Sequence, residues 1–165
     1  MNNNSEKLAK KLREIDRKQK SIIFTEYLLK IMDKSDFEIL DFNFSDSFIE
    51  NSEQYPENKY ERDLFKQINL EHKFEVQNSI KNFTEKIEQN FAFIYSYNYN
   101  FGLIKLSSDN IINNWENLLN FDGDEIIIYN PKNGNFIMIE LTEGFMINHL
   151  EKKIIQFYEL TFSEK

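Results

Sequence analysis

Between residues 125 and 141 the chain reads EIIIYN, then PKNGN, then FIMIEL: two β-rich runs on either side of a short turn. Pro131 and Gly134 meet the backbone demands of a tight turn, so this stretch predicts an antiparallel hairpin. The segment FAFIYSYNYNFGLIKL, residues 91–106, predicts a second. Phe91, Phe93, Tyr95, Tyr97, Tyr99 and Phe101 alternate with mostly small or polar residues, as an extended segment requires. Asn98 to Gly102 supply turn chemistry that folds it back on itself. A chain with two such hairpins is committed to an antiparallel sheet.

Helical spacing fills much of the remainder. Ser5 is placed to cap a long N-terminal helix in which Leu8, Leu12, Ile15, Ile22 and Ile23 recur up to about Asp33. At about 1.5 Å per residue this helix exceeds 40 Å, and its first half is polar enough to project from the body. Phe37, Ile39, Leu40, Phe42 and Phe44 predict a bulged strand, followed by a polar loop and a short helix at Tyr60 and Leu64. Ile68, Leu70, His72, Phe74 and Val76 alternate with polar residues as in a half-buried strand, with a helix as the weaker alternative. Asn78 or Ser79 would then cap a helix carrying Ile80, Phe83 and Ile87. Ser108 and Asp109 are set to cap another, striped by Ile111, Ile112, Trp115, Leu118 and Leu119. Gly144 predicts a further break. Residues 146–160 read as a helix through Met146, Leu150, Ile154 and Phe157, although IIQFYELTF, residues 154–162, could instead form a terminal strand. The expected fold is α+β: a single domain over residues 1–165, a mostly antiparallel sheet built from hairpins, helices packed on it, and a long N-terminal helix.

Composition narrows the chemistry. The absence of Cys excludes disulfides, thiolate zinc sites and Cys nucleophiles. Four Gly in no phosphate-loop pattern exclude a recognisable nucleotide cradle, and no G-x-S-x-G elbow occurs. No apolar run reaches the roughly 18 residues of a membrane span, and MNNNSEKLAKKLREIDRK lacks the core of a signal peptide, so the expected location is the cytoplasm with no membrane partner.

Charge is unevenly placed. The net charge is −8, yet residues 1–20 carry +4. Between Lys34 and Lys59 there is no cation, while Asp36, Glu38, Asp41, Asp46, Glu50, Glu53 and Glu57 supply seven negative charges. Between Lys105 and Lys132 the pattern recurs with Asp109, Glu116, Asp122, Asp124 and Glu125. Such a body repels nucleic-acid phosphate and attracts basic protein surfaces. These twelve carboxylates, with Tyr97 and Tyr99 as aromatic anchors, are the candidate partner-binding residues. The basic N-terminal helix is a candidate contact for a partner helix or an acidic surface.

Catalytic motifs are thin. The acidic turn Phe121 to Glu125 fails the alternating ligand pattern of an EF-hand and serves a helix-to-strand connection. Glu71-His72-Lys73, with Asp63 upstream, superficially resembles a metal-nuclease arrangement. Acidic-x-Lys triplets recur elsewhere, as in Glu57-Asn58-Lys59 and Glu151-Lys152-Lys153. His72 is expected to be a buried, hydrogen-bonded strand residue, and His149 a helix residue near Glu151. No catalytic residue, metal or cofactor is expected. The leading expectation is a non-enzymatic acidic protein that neutralises a basic, nucleic-acid-processing protein, of toxin-immunity or anti-defence type. An assembly subunit docking through its N-terminal helix is the alternative, and a metal-dependent nuclease-like enzyme the third.

Overall fold

The foreseen hairpin at residues 125–141 lies at the middle of the sheet. The computed structural model describes residues 3–52, 65–95, 101–148 and 151–163; of Asn3, Asn4, Glu6, Asp122, 145–148 and 151–153 it describes the backbone alone. In chain order the elements are α1 (Asn3–Ile31), β1 (Phe37–Ile39), α2 (Phe42–Asn51), β2 (Phe65–Asn69), α3 (Lys73–Thr84), β3 (Phe91–Tyr95), β4 (Leu103–Ser107), α4 (Ser108–Asp122), β5 (Glu125–Tyr129), β6 (Phe136–Asn148) and β7 (Glu151–Phe162). The strands join in one sheet in the order β1-β4-β3-β5-β6-β7-β2, with every pairing antiparallel. The α+β class, the antiparallel sheet and the long N-terminal helix are therefore as the sequence predicts.

Strand alternation sorts the core into two layers. Ala92, Ile94, Ile104, Leu106, Ile126, Ile128, Ile137, Ile139 and Leu160 meet Phe24 and Leu28 of α1, Val76 and Ile80 of α3, and Ile111, Trp115, Leu118 and Leu119 of α4. The opposite face presents Phe93, Tyr95, Ile127, Tyr129, Phe136 and Met138, with Phe48 and Ile49 of α2 packed on it. Phe48 stands edge-on to Phe93 at 5.1 Å and to Tyr129 at 5.7 Å between ring centroids. The aromatic alternation from Phe91 to Tyr95 is thus a packing face. Phe101 goes to the other layer, fully buried 4.6 Å from the Phe24 ring.

Several local expectations are corrected. The bulged strand at 37–44 stops at Ile39, because Asp41 caps α2: its Oδ1 accepts from the backbone N–H groups of Asn43 at 2.9 Å and Phe44 at 3.2 Å. Part of the expected polar loop is therefore helix; its continuation, and the short helix at Tyr60 and Leu64, lie outside the described residues. The strand at 68–76 ends at Asn69. A short 3₁₀ turn, Leu70–His72, leads into α3. Val76, Ile80 and Thr84 are buried at four-residue spacing, whereas Phe74, which the period-two reading required inside, is 60% exposed. Asn78 and Ser79 consequently stand within α3 and cap nothing. Ser5 is likewise inside α1, and the α4 cap is Ser107, whose side chain accepts from Asn110 N at 3.2 Å.

Gly144 does not break the chain. It continues β6, and a Cβ there would lie 2.7 Å from Phe157 Cε1, so the glycine makes room for that ring. The helix expected over 146–160 is strand instead, the end of β6 up to Asn148 and β7 from Glu151, as the terminal-strand alternative for 154–162 has it; residues 149–150 lie outside the described residues. Tyr158 and Leu160 join one core layer while the buried Glu159 and Thr161 occupy alternate positions, and β6 and β2 bond to the two edges of β7. Two-sided strand pairing overrides the helical spacing. Residues 143–148 and 151–156 pair only with each other among the described strands, extending the β6–β7 hairpin as a two-stranded arm.

Candidate interaction surfaces

Helix α1 has two apolar faces. Its inner stripe runs through Arg17, Lys20, Phe24, Leu28 and Ile31; Phe24 is 2% and Leu28 0% exposed. The Tyr27 ring lies 4.4 Å from that of Phe121, and its hydroxyl donates to Asn117 O at 2.7 Å. These contacts fix the second half of α1 to the body. Every described residue from Ser5 to Asp16 is exposed.

The outer stripe is Leu8, Leu12, Ile15, Gln19, Ile22, Glu26 and Leu29. Successive members are four, three, four, three, four and three residues apart, a heptad spacing held by five apolar residues and interrupted by Gln19 and Glu26. The apolar members and the adjacent Ile23 are between 48% and 60% exposed. Phe24 stands two positions after Ile22, about 200° around the helix at 3.6 residues per turn, so this seam points away from the body. It is about 31 Å long at roughly 1.5 Å per residue. Lys11 and Lys18 lie along one flank, and neither is ion-paired to a carboxylate among the described residues. On the other flank Asp16 pairs with Lys20 at 2.8 Å. The sequence pattern pointed to Leu8, Leu12, Ile15, Ile22 and Ile23 but not to Gln19, Glu26 and Leu29; a test for 3.5-residue periodicity would have found them.

The candidate carboxylates mostly serve the fold. Asp46 accepts Nη1 and Nη2 of Arg17 at 2.8 and 2.5 Å, tying α1 to α2. That hydrogen bond raises the Arg17 pKa against the opposing effect of burial. Asp41 caps α2, and Asp36 Oδ2 accepts from Asp33 N at 3.0 Å. Glu38 faces Lys105 across β1 and β4 at 3.5 Å, and Glu116 of α4 accepts from Lys73 of α3, raising the lysine pKa.

Glu50, Asp109 and Asp124 are exposed. Asp124, at φ +78°, follows the left-handed Gly123 that terminates α4. Asp122 stands in the last turn of α4, its side chain outside the described part. Glu125 heads a cross-strand row with Glu140 and Glu159, the last buried and accepting from Gln67 Nε2 at 3.1 Å. The two latter glutamates lie outside both acidic tracts, at 36–57 and 109–125. Glu53, Glu57, Tyr97 and Tyr99 lie outside the described residues.

The acidic tracts do not merge into one face. The α2 carboxylates lie on one side of the sheet and those of α4 on the other. At the β1 edge, Asp36, Glu38, Lys105 and Asn110 line a shallow groove of about 290 Å³. A larger open groove, about 760 Å³, runs between α1 and the start of α2 past Lys10, Arg13, Arg17, Asp41 and Asp46.

The catalytic look-alikes do not assemble. Among the described residues no group of three or more His, Asp or Glu could hold a metal ion. Glu71 and His72 are both exposed in the 3₁₀ turn. His72 Nδ1 lies 3.4 Å from Glu75 Oε1, so the expected buried strand histidine is corrected. Asp63 and His149 lie outside the described residues. Among those described, no helix is long and apolar enough to cross a membrane. No family model matches the chain, and no curated protein or solved structure is significantly similar to it.

Proposed function

We propose that this chain is a non-enzymatic, cytoplasmic binding protein that docks into a larger assembly through α1. The observation that carries the reading is the heptad seam of Leu8, Leu12, Ile15, Ile22 and Leu29, exposed on one side of a helix whose other side is anchored in the core. A seam repeating at 3.5 residues matches a second helix wound on the first, because that spacing keeps the contact continuous along both. The test is size-exclusion chromatography of extracts from the native cell. The wild-type chain should elute in a complex well above its 20.0 kDa mass, and an Ile15→Asp/Ile22→Asp variant at its own mass. Identical elution of the two would overturn the proposal.

A second reading, an inhibitor meeting a basic protein through carboxylates, draws on the exposed Glu50, Asp109 and Asp124. It is the weaker because Asp36, Glu38, Asp41, Asp46 and Glu116 already hold caps and ion pairs within the chain. Glu50→Gln/Asp109→Asn/Asp124→Asn should abolish activity under this reading and leave assembly intact under the first.

A further inference from the structure

Resting on that docking reading, we propose that the occupant of the α1 seam is an acidic amphipathic helix of another protein. This helix would have Leu or Ile along its seam, Glu or Asp facing Lys11 and Lys18, and a cation facing Glu26.

The inference follows from what a second copy would have to bury. In a parallel pair, Gln19 and Glu26 would each meet their own counterpart within the seam, placing two carboxylates side by side in a desolvated layer. Asp16, the one carboxylate that could answer Lys11 of a parallel copy, is already paired with Lys20. In an antiparallel pair the Lys11 and Lys18 flank faces the same flank of its neighbour, setting cation against cation. Either self-pairing therefore brings like charges together along the seam.

An acidic helix reverses these terms. Its flanking carboxylates meet two lysines that no described carboxylate holds, and a Lys or Arg at the layer of Glu26 turns a repulsion into an ion pair. The surrounding first half of α1 adds attraction: Lys7, Lys10 and Arg13 are exposed alongside, within the +4 segment of residues 1–20. Gln19 sets the register without fixing the partner's charge, as polar residues at seam positions do.

The test uses the full chain and two synthetic four-heptad peptides, both with Ile and Leu seams and one central seam Lys. One carries Glu at the flanking positions and the other Lys. Isothermal titration at low salt should show the acidic peptide binding about tenfold or more tighter than the basic one. Lys11→Glu/Lys18→Glu should reverse that order, and Ile15→Asp/Ile22→Asp should abolish binding of both. Equal or inverted preference in the wild-type chain would overturn the acidic occupant and leave seam docking standing. Binding of neither peptide, with a monomer in sedimentation velocity, would overturn the docking reading too. A dimer that Ile15→Asp/Ile22→Asp dissolves would assign the seam to a second copy and overturn the inference. Circular dichroism and the unfolding midpoint of each variant show that fold is retained.

Discussion

The two faces of α1 make opposite predictions for one chemical change. Truncating Leu28, fully buried between helix and sheet, removes the Cγ methine and two methyl groups and leaves a cavity that the rigid core closes incompletely. Leu28→Ala should therefore cost about 3 kcal/mol, within the roughly 2 to 5 kcal/mol known for such sites. At about 2 to 4 °C per kcal/mol for a chain of this size, Tm should fall by about 6 to 12 °C. Ile22 is 59% exposed on the opposite side of the same helix. Ile22→Ala should change stability by no more than about 0.5 kcal/mol, helped by alanine's better helix propensity. Urea unfolding followed by Trp115 fluorescence reads both variants, since that residue is the chain's single tryptophan and is buried in the same layer. Equal losses from Leu28→Ala and Ile22→Ala would refute the reasoning, because the seam would then be buried in the isolated protein. A wild-type midpoint rising with protein concentration would identify self-association as the cause.

Three further outcomes follow from particular contacts. Ser45 is fully buried; its Oγ donates to Asp41 O at 2.8 Å and accepts from Leu103 N at 2.9 Å, so Ser45→Ala strands a buried N–H and should lower unfolding stability by about 1 to 3 kcal/mol, measurable in urea. Gly134 sits at φ +73°, and a Cβ there would lie only 2.9 Å from Ser52 Cα. Gly134→Ala should destabilise by about 2 kcal/mol or more in thermal melts, because left-handed strain and a backbone clash combine. Burial pushes the Tyr129 hydroxyl up to about 12 from its ordinary value of 10.0. Between those values the unfolded chain has lost a proton that the native chain keeps, so stability falls as pH rises from about 10 to 12, by about 3 kcal/mol in all. Unfolding midpoints at pH 9 and pH 11.5 should show that fall in the wild-type chain and a shallower one in Tyr129→Phe.

The elements read correctly from sequence were those whose pattern and punctuation agree. Pro131 and Gly134 bound two β-rich runs, and the stripe Ile111, Trp115, Leu118, Leu119 has a helix start before it and Gly123 after it. Where one apolar set fits two periods, tertiary contact decides. Ile68 and Val76 belong to both a strand and a helix spacing, and the chain uses the first for β2 and the second for α3. Residues 154–160 carry helical spacing too, but the hairpin with β6 and the long-range pairing with β2 make them strand. The acidic tracts were plain in the sequence. That Asp46 meets Arg17 twenty-nine positions away was not, because a charge tract records sign and not the neighbours that folding supplies.

Those neighbours change what the net charge means. The tract carboxylates join separate elements: α1 to α2 through Asp46, β1 to β4 through Glu38, α3 to α4 through Glu116, while Asp41 starts α2. A carboxylate already facing a cation projects less field outward than a free one, so counting acidic residues overstates the attraction this body exerts on a basic protein. Lys11 and Lys18, flanking the α1 seam, have no such answer among the described residues, and they border the largest run of exposed apolar side chains on any described helix. Charge and hydrophobic exposure coincide along α1. Because association needs both a burial term and a steering term at one place, this coincidence is what supports the docking we propose through α1.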